Sequence, residues 1–205
     1  SFIPANGTPS INKVVKNLKG LLVIGLLVLV FAANAQFKVG VGGGVNLSNL
    51  AGSDISGTEN RLGFNGGVLL EAKFPIKLGF ELDVLFSTKG TKDIIFKDNR
   101  GNIIGTTGIK FSYIDMPLVM KIYTAKILSF QVGAQYSLLV SSNSSGIYSD
   151  DKWKNGDMAA VVGLGVDALK FHLAARYNYG LTSIDEAGAD IKNNMLTLSV
   201  GYWIK

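Results

Sequence analysis

His172 is the only histidine in a chain of 205 residues without cysteine, so a catalytic dyad or metal cluster must be built around one imidazole or none. No Ser/His/acid spacing and no HExxH motif is recognisable, which leaves acyl-transfer or lipase chemistry without an evident nucleophile. Gly40, Gly42, Gly43 and Gly44 suggest a phosphate cradle, but Val45 breaks GxGxxG and no helix pattern follows, so they read as strand glycines. The acidic groups Asp150-Asp151 and Asp185-Glu186 with Asp190 do not follow the EF-hand loop and read as solvated charge. The expectation is a protein that is not an enzyme and holds no cofactor or metal. Two residue sets remain. Lys38, Glu71, Glu81, Asp83, Asp115, Lys121, Lys170 and Arg176 have the signs to pair with one another, and Tyr148 and Trp153 stand in a polar stretch suited to ligand or partner contact. For Trp153 the alternative is a ring folded onto the surface beneath it.

What would position these residues is a period of two. Phe37, Val39, Val41, Val45 and Leu47 share one parity, and the same alternation recurs from Leu62 to Ala72, Leu78 to Phe86, Leu128 to Leu138, Met158 to Val166, Leu169 to Leu181 and Leu196 to Ile204. The fourth segment, Ile109 to Ile122, changes parity: Ile109, Phe111 and Tyr113 are odd, whereas Ile114, Met116, Leu118, Met120 and Ile122 are even. A β-bulge near Tyr113 or Ile114 would produce that change, and Pro117, which has no N–H to donate, favours a distortion there.

Eight segments are joined by connections that alternate in length. Ser48 to Asn60, Ser87 to Gly108, Ser141 to Gly156 and Thr182 to Asn194 are long and polar, while those at Pro75, Thr124 to Lys126 and Asp167-Ala168 are tight. An antiparallel up-and-down meander then carries all long loops at one end, the plan of an eight-stranded outer-membrane barrel. A soluble lipocalin-like barrel alternates as well, with its apolar side chains inward. Two observations favour lipid. The segments match the roughly 9 to 11 residues a tilted strand needs to cross a bilayer. Aromatics also gather near segment ends, with Phe37, Phe74, Tyr123, Phe171 and Tyr202 toward the tight turns and Phe64, Phe86, Phe111, Tyr136 and Tyr179 toward the long loops, as two girdles would. The eight charged residues then face a narrow lumen, read either as a structural ion-pair plug or as a gated conduit for small ions, with His172 hydrogen-bonded among them.

The first 35 residues have a different character. Lys13, Lys16 and Lys19 precede the apolar run Leu21 to Ala33, which closes on Ala33-Asn34-Ala35. This is the layout of a secretory signal peptide cleaved after Ala35, with an uncleaved anchor as the alternative. Residues Ser1 to Asn12 carry no pattern and read as an upstream extension or a misplaced start. The domains expected are therefore 1–35, extension and signal, and 36–205, a single barrel. The net charge of +5 owes most to those three lysines, and no Lys/Arg stripe follows, so nucleic-acid binding is not expected.

Tyr113-Ile114-Asp115-Met116-Pro117-Leu118 resembles the aromatic, aliphatic, acidic, aliphatic, Pro, Leu motif of the PorT-like outer-membrane β-barrel proteins of Bacteroidetes, and the resemblance extends over Gln36 to Lys205. It implies an eight-stranded barrel in the outer membrane; one branch of the family acts in a secretion and gliding apparatus, and most members have no known activity. Members commonly end on an aromatic residue, whereas this chain ends Tyr202-Trp203-Ile204-Lys205. The functions expected are loop presentation for binding, adhesion or envelope integrity, or else a small-solute channel or an accessory secretion component. The partners expected are outer-membrane lipid, the barrel assembly machinery during insertion, and secretion-system proteins for the accessory reading. Placing an arginine on the lipid face tests the parity: Val132→Arg should destabilise the barrel by about 2 to 4 kcal/mol in a vesicle refolding assay, whereas lumenal Gln135→Ser should be tolerated.

Overall fold

The computed structural model describes residues 35–51, 59–97, 103–145, 153–184 and 191–205. Eight strands follow in chain order: β1 (Gln36–Ala51), β2 (Arg61–Phe74), β3 (Leu78–Lys97), β4 (Ile103–Tyr123), β5 (Leu128–Ser145), β6 (Gly156–Ala168), β7 (Phe171–Gly180) and β8 (Lys192–Trp203). Each pairs antiparallel with its sequence neighbours, and β1 pairs with β8 from Gly40↔Trp203 to Ala51↔Lys192, so the sheet is a closed barrel. Closure leaves no unpaired edge, the condition for a sheet to sit in hydrocarbon.

The apolar parity points outward. Val132, Leu138, Leu173 and Leu198 are 41 to 52% exposed, while Glu71, Glu81 and Lys121 on the other face are at most 1% exposed. Eight of the ten girdle aromatics lie on the outer face, with Phe64 and Phe86 in ring contact at 6.1 Å and Phe171 and Tyr202 at 5.5 Å. Tyr123 and Phe111 do not belong to them: both are buried inside the barrel.

The parity change in β4 has another cause than the expected bulge. Ile109, Phe111, Tyr113, Asp115, Pro117, Val119, Lys121 and Tyr123 all face inward in unbroken alternation. What changes along the strand is the filling of the lumen, ionic toward the tight turns and apolar toward the long loops. The register step between β4 and β5 falls instead on the partner strand, between Ser112↔Ser141 and Tyr113↔Leu139, leaving Val140 as the extra residue. Pro117 acts locally: the β3–β4 pairing is interrupted between Leu82↔Leu118 and Leu85↔Asp115 and resumes in the same register.

β3, β4 and β5 are longer than their hydrophobic cores, with 20, 21 and 18 residues. Much of the second long connection is therefore strand. Gly90 makes this extension feasible: its φ is +133°, and a Cβ there would stand 2.0 Å from the Ile109 carbonyl oxygen. Ser48 of β1 reaches across to it, accepting from the Gly90 N–H at 3.0 Å.

At the long-loop end an apolar cluster stops the barrel. Leu50, Ile109, Phe111, Tyr113, Trp153, Ile184 and Ile191 are all at most 4% exposed. Phe111 meets Trp153 edge-to-face at 5.0 Å, and the Lys154 N–H donates to the Ile184 carbonyl at 2.9 Å, tying the third and fourth long connections together. Phe111→Ala should lower stability by about 3 to 5 kcal/mol. Urea titration in phospholipid vesicles should show a clearly smaller loss for lipid-facing Leu138→Ala.

Candidate functional site

The inward face of the tight-turn half of the barrel assembles charged residues contributed by six strands. Lys121 of β4 is fully buried, and its Nζ lies 2.9 Å from Glu81, 3.1 Å from Asp167 and 3.4 Å from Glu71. These carboxylates come from β3, β6 and β2, so one ammonium connects four strands across the lumen. Arg176 of β7 forms a second centre: its guanidinium pairs with Glu81, donates to Asp83 at 2.7 Å, and donates through Nε to Gln131 of β5 at 2.6 Å. Glu81 thereby serves both cations.

His172 lies beside this network, with Nδ1 2.9 Å from Asp167 and Nε2 3.6 Å from Glu81. Asp167 also accepts from Trp203 Nε1 at 3.4 Å and lies 3.0 Å from the Tyr123 hydroxyl, which itself donates to Glu71. Lys38 approaches Glu71 at 3.6 Å from the tight-turn rim, where its side chain is 24% exposed. Four carboxylates thus meet three full cations and one imidazole. Above them, Lys89 of β3 pairs with Asp115 at 2.7 Å, donates to Ser137 at 2.9 Å and stacks over the Tyr113 ring at 4.6 Å.

The fit is close. Gly165 leaves room for this packing, since a Cβ there would press on the Gln131 and Ser129 side chains and displace them from the network. A cavity lined by Asn65, Asp83, His172 and Arg176 has about 10 Å³, room for about one water molecule.

Seven of the eight residues expected to pair do face the lumen, and all seven enter these ion pairs. Lys170 does not. The β6–β7 turn ends at this residue, directly after Leu169 at φ +57°, and its ammonium points to the outer Tyr202 ring at 5.8 Å. The parity of β7 places position 170 inward only if the strand begins one residue earlier than it does. Trp153 takes the second of its two expected readings: it is 4% exposed, packed inside the apolar stopper, and offers no contact surface. Tyr148 and the acidic groups at 150–151 and 185–190 lie outside the described residues. In the motif, Tyr113, Asp115 and Pro117 face inward and Leu118 faces out at 53% exposure.

Lys89, Asp157 and Asp167 are lumenal residues outside the expected set, and Tyr123 is lumenal where a girdle position was expected. Each continues its strand's inward parity one to three residues beyond the apolar stretch, where the pattern of alternation gives no further support.

Residues 31–186 match the family model described as outer membrane protein beta-barrel domain. The chain belongs to that family. This outer-membrane barrel is similar in fold to Neisserial surface protein A, with 14% identity, a TM-score of 0.53, and coverage of 80% of this chain and 96% of the other. The Ail protein of Yersinia pestis gives a TM-score of 0.49 at 18% identity, over 82% of this chain and 99% of that one. No curated protein matches. The family and the closed barrel place the protein in the outer membrane.

Removing one cation tests the network. Lys121→Met takes the shared cation from three buried carboxylates and should destabilise the barrel by about 3 to 5 kcal/mol. In a double-mutant cycle, Lys121→Met with Glu81→Gln should cost less than the sum of the two single changes, because the two groups act on each other.

Proposed function

We propose that this protein is a non-enzymatic, plugged outer-membrane barrel whose rigid wall presents its four long connections to the exterior for binding, adhesion or envelope integrity. The observation that carries this reading is the filling of the lumen. Lys121 and Arg176 cross-link opposite walls in the tight-turn half, and Phe111, Trp153 and Ile184 stop the long-loop half. A conduit for small ions would need a hydrated path, and each unpaired charge along it would have to recover its lost solvation. Here the charges face one another instead of a channel. His172 is engaged with Asp167, which supports a structural role over a catalytic one.

The Tyr113 to Leu118 motif favours a second reading, a PorT-like accessory component of a secretion system, in which the same plugged barrel docks to other envelope proteins. The two readings differ in partners, not in the state of the lumen. Single-channel recording on refolded protein in planar bilayers should show no conductance step. A reproducible step in the wild-type protein would overturn the plugged barrel, and stoichiometric co-purification with secretion proteins would favour the accessory role.

A further inference from the structure

The tight-turn end of the barrel repeats one chemical pattern. Ile76-Lys77 lies in the β2–β3 turn, Lys126-Ile127 in the β4–β5 turn, Leu169-Lys170 in the β6–β7 turn, and Ile204-Lys205 just after β8. All eight side chains are exposed, the aliphatic ones at 51 to 100%. Acidic side chains are distributed in the opposite way. Among the described residues each is either inside the barrel, as Glu71, Glu81, Asp83, Asp115, Asp157 and Asp167 are, or at the long-loop end, as Glu59 is. Lys38 at this rim pairs with Glu71, whereas among the described residues no ion pair is formed by Lys77, Lys126, Lys170 or Lys205. In an outer-membrane barrel this end faces the periplasm, so each pair meets one lipid leaflet, with the aliphatic chain at the acyl boundary and the ammonium at phosphate depth.

One sector of the rim continues into a groove. On the outer wall, Val45, Leu198, Ala175 and Leu164 stand opposite one another across β1, β8, β7 and β6, and Ala175 is the one short side chain in that row. Together with Val200, Leu173 and Val166 in the next row they line an open apolar groove of about 540 Å³. The groove descends toward the Phe171–Tyr202 ring pair, directly above Lys170, whose carbonyl accepts from the Trp203 N–H. Lys205 follows two residues after Trp203 on the β1 side, where its main-chain oxygen accepts from the Val39 N–H at 3.0 Å. At about 3.3 Å per residue, Ala175 stands about 16 Å along the strand from Lys170, which at a tilt of about 40° is about 13 Å of depth. That lies within one leaflet, half of the roughly 30 Å hydrocarbon core.

We propose that the periplasmic rim is a binding surface for anionic phospholipid, with its principal site on β6–β8 and β1: the headgroup phosphate at Lys170 and Lys205, and one acyl chain in the groove over Ala175. The assignment rests on the periplasmic placement of the tight turns and adds a lipid class and a location to it.

The test is electron spin resonance of spin-labelled phosphatidylglycerol against spin-labelled phosphatidylcholine, with the refolded barrel in phosphatidylcholine vesicles. A basic residue near an anionic headgroup contributes about fivefold in binding, so wild-type protein should prefer phosphatidylglycerol by at least about fivefold. K170Q/K205Q should lose most of that preference and K77Q/K126Q little of it. Ala175→Phe should reduce the motionally restricted lipid population while leaving the barrel heat-modifiable on gels. Equal affinities for the two lipids in a folded wild-type barrel would overturn the proposal and leave the membrane-barrel reading standing. A preference that survives K170Q/K205Q, or falls equally in K77Q/K126Q, would overturn the site.

Discussion

A buried ammonium surrounded by carboxylates is the interaction on which this barrel's interior depends. Hydrogen bonding around the wall joins each strand only to its neighbours, and nothing in that ladder holds opposite walls at a set distance. Lys121 does so, since Glu71, Glu81 and Asp167 come from three other strands and each lies within 3.4 Å of it. Arg176 repeats the arrangement through Glu81, Asp83 and Gln131. Charges so deeply buried are costly unless paired, and a pair is favourable only when the remaining donors and acceptors are met as well. Tyr123, His172, Trp203 and Ser137 meet part of that demand, which explains why polar side chains other than the ion pairs face inward, while Asp83 Oδ1 and Gln131 Nε2 are left without a hydrogen-bond partner among the described residues.

The interior is nevertheless not uniform. Its tight-turn half is ionic and its long-loop half apolar, divided near Tyr113, where Lys89 stacks on the ring from the ionic side. This division reconciles two demands. The bilayer requires an outward apolar band along every strand, and the segments that rise beyond it on β3 to β5 need a core of their own where acyl chains no longer support them. Phe111, Trp153 and Ile184 supply that core from residue types that sequence parity alone would assign to lipid or to an exposed loop.

The lumen and the tight-turn rim differ in the sign of their charge. Inside, six carboxylates face four full cations and His172, while the tight-turn rim bears lysines flanked by aliphatic residues. In the proposed reading the two ends are given different tasks, a headgroup contact at the tight-turn rim and recognition at the long connections. A plugged wall suits that division, because rigidity passes from the rim to the loop bases without a water-filled path between them.

The alternation of apolar residues, the alternation of long and short connections, and the absence of a catalytic histidine cluster were legible in the chain, and together they determined an eight-stranded membrane barrel with charges inside. Periodicity reports which residues share a face, because side chains on a strand point alternately to its two sides. It does not report where a strand ends or what stands across the lumen. Lys170 fell outside the lumen because the strand starts one residue after it, and Lys89 fell inside because β3 continues through a polar stretch that resembles a loop. The parity change in β4 was visible, but its cause was not: both a bulge and a change of lumenal filling predict it, and only closure of the sheet brings Phe111 against Trp153. Tertiary structure alone decided these points, since each depends on contacts between strands that are remote in sequence and adjacent only once the barrel is closed.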